Sequence, residues 1–307
     1  MARLPVRDPR PWRPCSCEAY VLPHHVGQHI RFEGTTSRTG VGSSRATVGP
    51  VRAEASGPGS VPELLQARLS ADPGRPRLTW YGPDGERVEL SARTLENWVA
   101  KSANLLMEEF DAGPGTRIAV RLPAHWRTAT WLLAAWTVGA CAVVRREPPD
   151  DSAGGPDGPA PDVVVTADPA AAVLAGADPA SVVAVALPAL ATSFGAPLPA
   201  GALDGAAEVR LRGDVVGPVV TPLPADEALL PIGGSALTYE ELLPAARAVA
   251  RGAGWPPRVR LLTSAGPGDA VAGLLAPLVL DGSVVLHDPD LDAGTLGRVA
   301  VQERTTA

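Results

Sequence analysis

Lysine is almost missing from this chain. Lys101 is the only one, the other basic residues are arginine, and the formal net charge is −6 over 307 residues. Any mechanism that needs two lysines is excluded. The acidic balance offers no electrostatic case for nucleic acid or an anionic membrane as partner. Cysteine is scarce as well: Cys15, Cys17 and Cys141 are an odd set without framework spacing, which points to a reduced, cytoplasmic setting rather than a secreted one. Long apolar runs are also lacking. The longest, Thr130 to Val144, is interrupted by Gly139 and falls short of the ~20 residues of a membrane span. Arginine, proline and acidic residues stand at the N-terminus where a secretory signal has its apolar core.

What is present is globular in character, with 45% apolar and 20% charged residues. The length suffices for one large or two ordinary domains. An excess of alanine, glycine, proline and arginine matches a genome of high GC content. Residues 1–60 differ from the rest: rich in arginine, proline, glycine and serine, they carry no sustained apolar period and read either as a disordered extension or as a translation start placed upstream of the real one. Cys15, Cys17, His24, His25 and His29 lie there, but their spacings fit no usual structural zinc pattern.

Order is expected from Val61. The stretch 61–71 places Pro62 in a first helical turn and Leu64, Leu65 and Leu69 on one side. Two short strands flank Pro83-Asp84-Gly85 as a hairpin. Ser91 caps a helix whose Leu95, Trp98, Val99, Ser102, Leu105 and Leu106 form one stripe. A strand over 116–122, a helix from about His125 to Val138 and a strand at 141–144 follow. Residues 146–161 read as a linker or flexible loop. Beyond it, two short apolar strands enclose an alanine-rich helix; residues 189–217 hold no expected element; and a strand, helix and strand run on to Asp288. The last residues, 289–307, read as a frayed tail. Strands alternating with helices predict an α/β fold, with layered parallel-type sheets carrying helices on both faces.

The order of these pieces resembles the opening of the adenylate-forming superfamily: acyl-CoA synthetases, luciferases and the adenylation domains of peptide synthetases. The resemblance is carried by Ser91, Gly113 through Val120, Leu122-Pro123, Gly139-Ala140 and the segment 258–286, and it covers residues 61–288 in outline. It extends to a family of short, high-GC actinobacterial proteins related to AMP-binding enzymes. The superfamily places a Thr/Ser/Gly-rich phosphate loop ending in Pro-Lys-Gly between those pieces, where ATP is held. The corresponding position here is Gly233-Gly234-Ser235, with Asp226 standing where the family has an acid before the strand. The loop has no lysine and is short, no Tyr-Gly-x-Thr-Glu-like motif follows, and the ribose-binding aspartate and C-terminal catalytic lysine have no counterpart.

Two readings of that position compete. Thr238 and Glu241 match a T-x-x-E capping box, so a turn feeding a helix accounts for the polar residues. Alternatively Gly233, Gly234, Ser235 and Thr238 retain a phosphate position, with ATP or AMP as the ligand the resemblance implies. No catalytic or metal residue is assigned. Asp288, Asp290 and Asp292 have the spacing of a calcium loop, but Ala293 and Val299 occupy the turn-glycine and glutamate positions. His125 reads as a helix-start residue with a surface role, and Trp80, Trp98, Trp126, Trp131, Trp136 and Trp255 as packing residues. The expectation is an AMP-binding-enzyme-like protein without complete adenylation chemistry, acting as a binding or regulatory module with a protein partner. The alternative is a nucleotide- or acyl-binding remnant completed by a partner chain.

Overall fold

The computed structural model describes residues 57–145, 160–189 and 191–307. The N-terminal cysteine and histidine set and most of the 146–161 linker lie outside the described residues.

The chain builds each element from the signals above. Helix α1 (Val61–Ala71) starts with Ser60 Oγ accepting from the Glu63 amide and Pro62 in its first turn. Strands β1 (Pro76–Tyr81) and β2 (Arg87–Ser91) form the hairpin around a 3-10 turn at Pro83–Gly85. Helix α2 (Ala92–Phe110) is capped by Ser91 and buries Leu95, Val99, Ser102, Leu105 and Leu106, as the stripe predicts. It also buries Asn104, whose side chain accepts from the Gly217 amide and donates to the carbonyls of Gly213 and Val215. Strand β3 (Arg117–Arg121), helix α3 (Trp126–Thr137) and strand β4 (Cys141–Val144) follow. Then come β5 (Val163–Thr166), α4 (Pro169–Leu174) and β6 (Val182–Ala184).

The stretch without an expected element contains two short ones, β7 (Leu203–Asp204) and α5 (Gly205–Val209). Asp204 explains them, because its carboxylate caps α5 on the amides of Ala206 and Ala207 while also accepting from Phe194. Strands β8 (Glu227–Pro231) and β9 (Leu237–Thr238) lead into helix α6 (Tyr239–Gly252). Strand β10 (Arg260–Thr263), a π-helical turn at Val271–Leu275, helix α7 (Ala276–Val279), strand β11 (Ser283–His287) and helix α8 (Ala293–Glu303) complete the fold.

Two sheets result. The larger has the order β7-β6-β5-β3-β4-β8-β9, parallel except for β9. The smaller has the order β10-β11-β1-β2, in which the hairpin strand β1 pairs in parallel with β11, Leu78 opposite Val284. Successive strand residues face opposite sides. In the larger sheet Ile118, Val120, Ala142, Val144, Val163 and Val165 enter the main core, while Ala119, Cys141, Val143 and Val164 pack with Ala172 of α4 on the other face. In the smaller sheet Leu78, Trp80, Val284 and Leu286 join the main core, while Tyr81 and Val285 pack with Val299 of α8. The fold is therefore α/β with both faces of each sheet covered, and α3 sits in the shared core against α1, α2, β1, β3 and β4.

The C-terminal end is a correction. Residues expected to fray from about Asp290 form α8, capped by Asp292 on the Thr295 amide, and the chain beyond it pairs with β10 through the Thr306 amide to the Arg260 carbonyl and the Leu262 amide to the Ala307 carbonyl. The reason is Glu303. Its buried carboxylate accepts from Tyr81 Oη at 2.5 Å and Arg87 Nη2 at 2.9 Å, and pairs with Arg260. One acid thus ties α8 to β1, β2 and β10. A second hub is Asp281, which has φ +59 and holds Arg77 at 2.8 Å, Arg258 at 3.1 Å, and Arg68 and Arg75 at 3.2 Å.

Both acids titrate below the usual carboxylate range. Burial alone raises them, but for Glu303 the hydrogen bonds from Tyr81, Arg260 and Arg87 outweigh it, as the Arg77 contact and the surrounding guanidinium charges do for Asp281. A lowered folded-state value means stability that is present above the unfolded carboxylate value and is lost as pH falls through the folded one. Replacing Glu303→Ala strands three partners of a buried pair and is expected to cost about 3 kcal/mol. Urea unfolding followed from neutral to acid pH checks both points: the variant starts lower and loses less on acidification.

Candidate functional site

The glycine turn occupies the carboxyl end of β8. Ile232 donates to the Val144 carbonyl at the end of β4, and the Gly234 amide closes a turn on the Pro231 carbonyl at 2.9 Å. Gly233 adopts φ +77, which a residue with a Cβ rarely accepts. Gly233, Gly234 and Ser235 are exposed, and residues 232–236 do no more than join β8 to the antiparallel β9.

Thr238 is not beside them. It pairs with Glu227 at the opposite end of β8, although it lies only three residues beyond Ser235 along the chain. There it forms the predicted capping box: Glu241 Oε2 accepts from the Thr238 amide at 3.0 Å and from its hydroxyl at 2.9 Å. The structure therefore splits the four candidate residues. Gly233, Gly234 and Ser235 lie at the carboxyl edge of the parallel sheet, where α/β folds bind ligands, but the N-terminus of α6 points its amides elsewhere. Lys101 does not serve the turn either: it sits on α2, donating to the Arg212 carbonyl at 2.5 Å and pairing with Asp214 at 2.6 Å.

The chemically unusual residues are on α3. All twelve of its residues are buried, including Arg127. His125, expected at the surface, is only 3% exposed, so that expectation is corrected. It is the N-cap, with Nδ1 accepting from the Arg127 amide at 3.1 Å, and its ring packs edge-on against Trp80 at 4.8 Å. Nε2 makes no hydrogen bond of good geometry. Burial first, then the neighbouring Arg127 charge, push its pKa down to about 3, against a weaker opposing pull from the Leu187 carbonyl. His125 borders a crevice of about 20 Å³ with Thr128, Leu78, Leu286, Gly266 and Gly273, room for one water. The π-helical turn closes it tightly, since a Cβ on Gly273 would meet the Ala265 Cβ at 2.2 Å. A neutral, buried imidazole in an apolar wall, with one ring nitrogen unpartnered, is suited to accept or donate one hydrogen bond.

Arg127 has no carboxylate in ion-pair range among the described residues. Its Nη2 reaches only the carbonyls of Ala189 and Ala191, at 3.4 and 3.3 Å, and its guanidinium lies over Trp126 at 4.5 Å and Trp98 at 5.6 Å. Burial, then repulsion from Arg210, push its pKa down to about 10, with Glu86 acting the other way from beyond contact. Sequence reasoning passed over this residue, although one arginine inside the apolar run WRTATWLLAAW was the available signal. Asp288, Asp290 and Asp292 have local uses: Asp288 accepts from the Asp290 amide at 2.8 Å, and Asp292 caps α8.

No family model matches the chain. Among curated proteins, a TIGR03089 family protein of Mycobacterium tuberculosis is 40% identical over 235 residues, covering 74% of this chain and 89% of the relative. Among solved structures, an acyl-CoA synthetase of Brucella canis superposes with a TM-score of 0.63 at 20% identity, over 80% of this chain and 46% of that one. An artificially fused adenylation–PCP di-domain, NpsA-ThdA from Klebsiella oxytoca, superposes with a TM-score of 0.55 at 16% identity, over 80% of this chain and 42% of the other. The chain spans less than half the length of either structure, and the likeness is one of fold: that of the N-terminal domain of adenylate-forming enzymes.

The His125 environment predicts a pH dependence. Its folded value near 3 lies below the free imidazole value of 6.5. Between the two the unfolded chain binds the extra proton, so stability falls as pH drops from 6.5 toward 3. In His125→Asn, which keeps a capping side chain, the urea midpoint is expected to depend less on pH between 6.5 and about 4. Equal slopes in the two proteins would contradict the buried neutral ring.

Proposed function

The chain belongs to the TIGR03089 family, and from that premise we propose that it acts as a binding or regulatory module of the adenylate-forming superfamily rather than as a complete adenylating enzyme. The observation that carries this reading is the β8–β9 turn. A loop that cradles a triphosphate needs several inward-facing amides and a mobile cation. Here the position offers the exposed Gly233-Gly234-Ser235, one amide already closing the turn on Pro231, and a helix start at the far end of the strand. The one lysine of the sequence is bound to Asp214. On this reading the inherited architecture serves as a shaped surface for a protein partner in the cytoplasm. ATP–pyrophosphate exchange measured with a panel of carboxylic acids is expected to stay at the no-protein background; exchange with any of them would overturn the proposal.

A second reading, a nucleotide- or acyl-binding remnant completed by a partner chain, is favoured by a separate observation. The chain turns to opposite sides of β3, placing β4 and β5 as its neighbours, with α3 and α4 covering opposite faces of the sheet. The carboxyl edge of such a switch point is where α/β proteins hold ligands, and the glycine turn lies along it. Thermal-shift measurements with ATP, AMP, CoA and a non-hydrolysable acyl-adenylate distinguish the readings: a saturable rise in melting temperature supports the remnant, and a flat response leaves the module.

A further inference from the structure

A space between α2, α3 and α5, unrelated to the glycine turn, is built around unsatisfied donors. The Trp126 Nε1–H and the Arg127 Nε–H are both buried and have no acceptor. Both residues line an inner pocket of about 10 Å³ together with Trp98, Thr130 and Val209, room for a single oxygen atom. Trp98 is also a wall of an outer cleft of about 370 Å³, lined with Thr94, Asn97, Lys101, Arg210 and Asp214. Arg210 is exposed at the mouth of that cleft and makes no ion pair among the described residues. Lys101 is the only cation of the cleft with a carboxylate, Asp214 at 2.6 Å.

Two guanidiniums thus border one half-buried indole, Arg127 over its ring and Arg210 in the cleft that the indole walls, and neither has a counter-charge in contact. Buried donors in native proteins are almost always satisfied, so a pair of orphans beside an unneutralised arginine calls for an acceptor. An arginine fork matches the geometry of an oxyanion, and the indole face offers a flat surface for the body attached to it. We propose that this cleft binds a small ligand through an oxyanion head group, carboxylate or phosphate, which Arg210 receives at the mouth and Arg127 attracts from beneath Trp98. Trp98 lines both spaces, so an anion oxygen reaches the Trp126 and Arg127 N–H groups only if that side chain turns aside. The site stands whether or not the chain adenylates anything, because none of its residues belongs to the β8–β9 turn.

The test is nuclear magnetic resonance of the full chain carrying 15N-labelled tryptophan indoles. The chain is titrated with sodium acetate and, separately, with sodium phosphate, against sodium chloride at matched ionic strength. Saturable shifts of the Trp126 and Trp98 indole N–H signals with acetate, phosphate or both are expected, and the responding arm identifies the head group. Arg210→Ala is expected to weaken the response about fivefold, as for loss of a contact worth roughly one exposed ion pair, and Arg127→Met to abolish it. Shifts equal to those in chloride, in both arms, overturn the proposal and leave the inner pocket to a water molecule. Should Arg127→Met fail to fold, an unchanged affinity in Arg210→Ala overturns it equally.

Discussion

Helix α3 has no solvent-facing side, and the remainder of the fold is arranged to make that tolerable. A helix buried all round favours apolar or internally satisfied groups. Its threonines comply by bonding back along the chain: Thr128 to the Pro123 carbonyl at 2.6 Å, Thr130 to Trp126 at 3.1 Å and Thr137 to Leu133 at 2.7 Å. Trp136 donates to the Ala228 carbonyl of β8 at 2.8 Å. Covering such a helix takes elements on every side, which is why one sheet does not suffice and the β1–β2 hairpin must pair with β11 to supply a second.

Charge is handled unevenly across this framework. Beside the smaller sheet, Glu303 gathers two arginines and Asp281 four, so that cations otherwise expensive to bury tie residues 258–303 to the segment 68–87. In the shared core the pattern inverts. Arg127 is stacked on indoles without an acid in contact, and His125 beside it stays neutral because protonation there would put two cations together in a low-dielectric site. Arg77 and Arg127 each keep a buried Nε–H without an acceptor, but Arg77 has the Asp281 carboxylate in contact and Arg127 has none.

The glycine turn and the start of the helix that follows it lie at different edges of the sheet. The turn lies on the carboxyl edge of a parallel sheet, next to the end of β4. Because β9 runs back antiparallel along β8 before α6 begins, the helix dipole and its free amides start at the other edge. A strand reversal of only two residues, Leu237 and Thr238, thereby separates the glycines from the anion-binding end of the helix.

Much of the local structure was legible in the sequence by itself. Ser91 before its apolar stripe, Pro62 in a first turn, the Thr238–Glu241 box and the alternating strands each act over a few residues, so their outcome needs no distant partner. The α/β class followed from their order. The tail was misread because Glu303 looks like any exposed acid until Tyr81, Arg87 and Arg260 meet it from residues far away in sequence. His125 is buried rather than exposed because the smaller sheet packs over the start of α3, with Trp80 against its ring. Thr238 and the glycines look adjacent along the chain, yet strand pairing sets them at opposite ends of β8. Short-range signals choose the elements, but which elements enclose a given side chain depends on contacts between distant segments, and only the folded chain makes those.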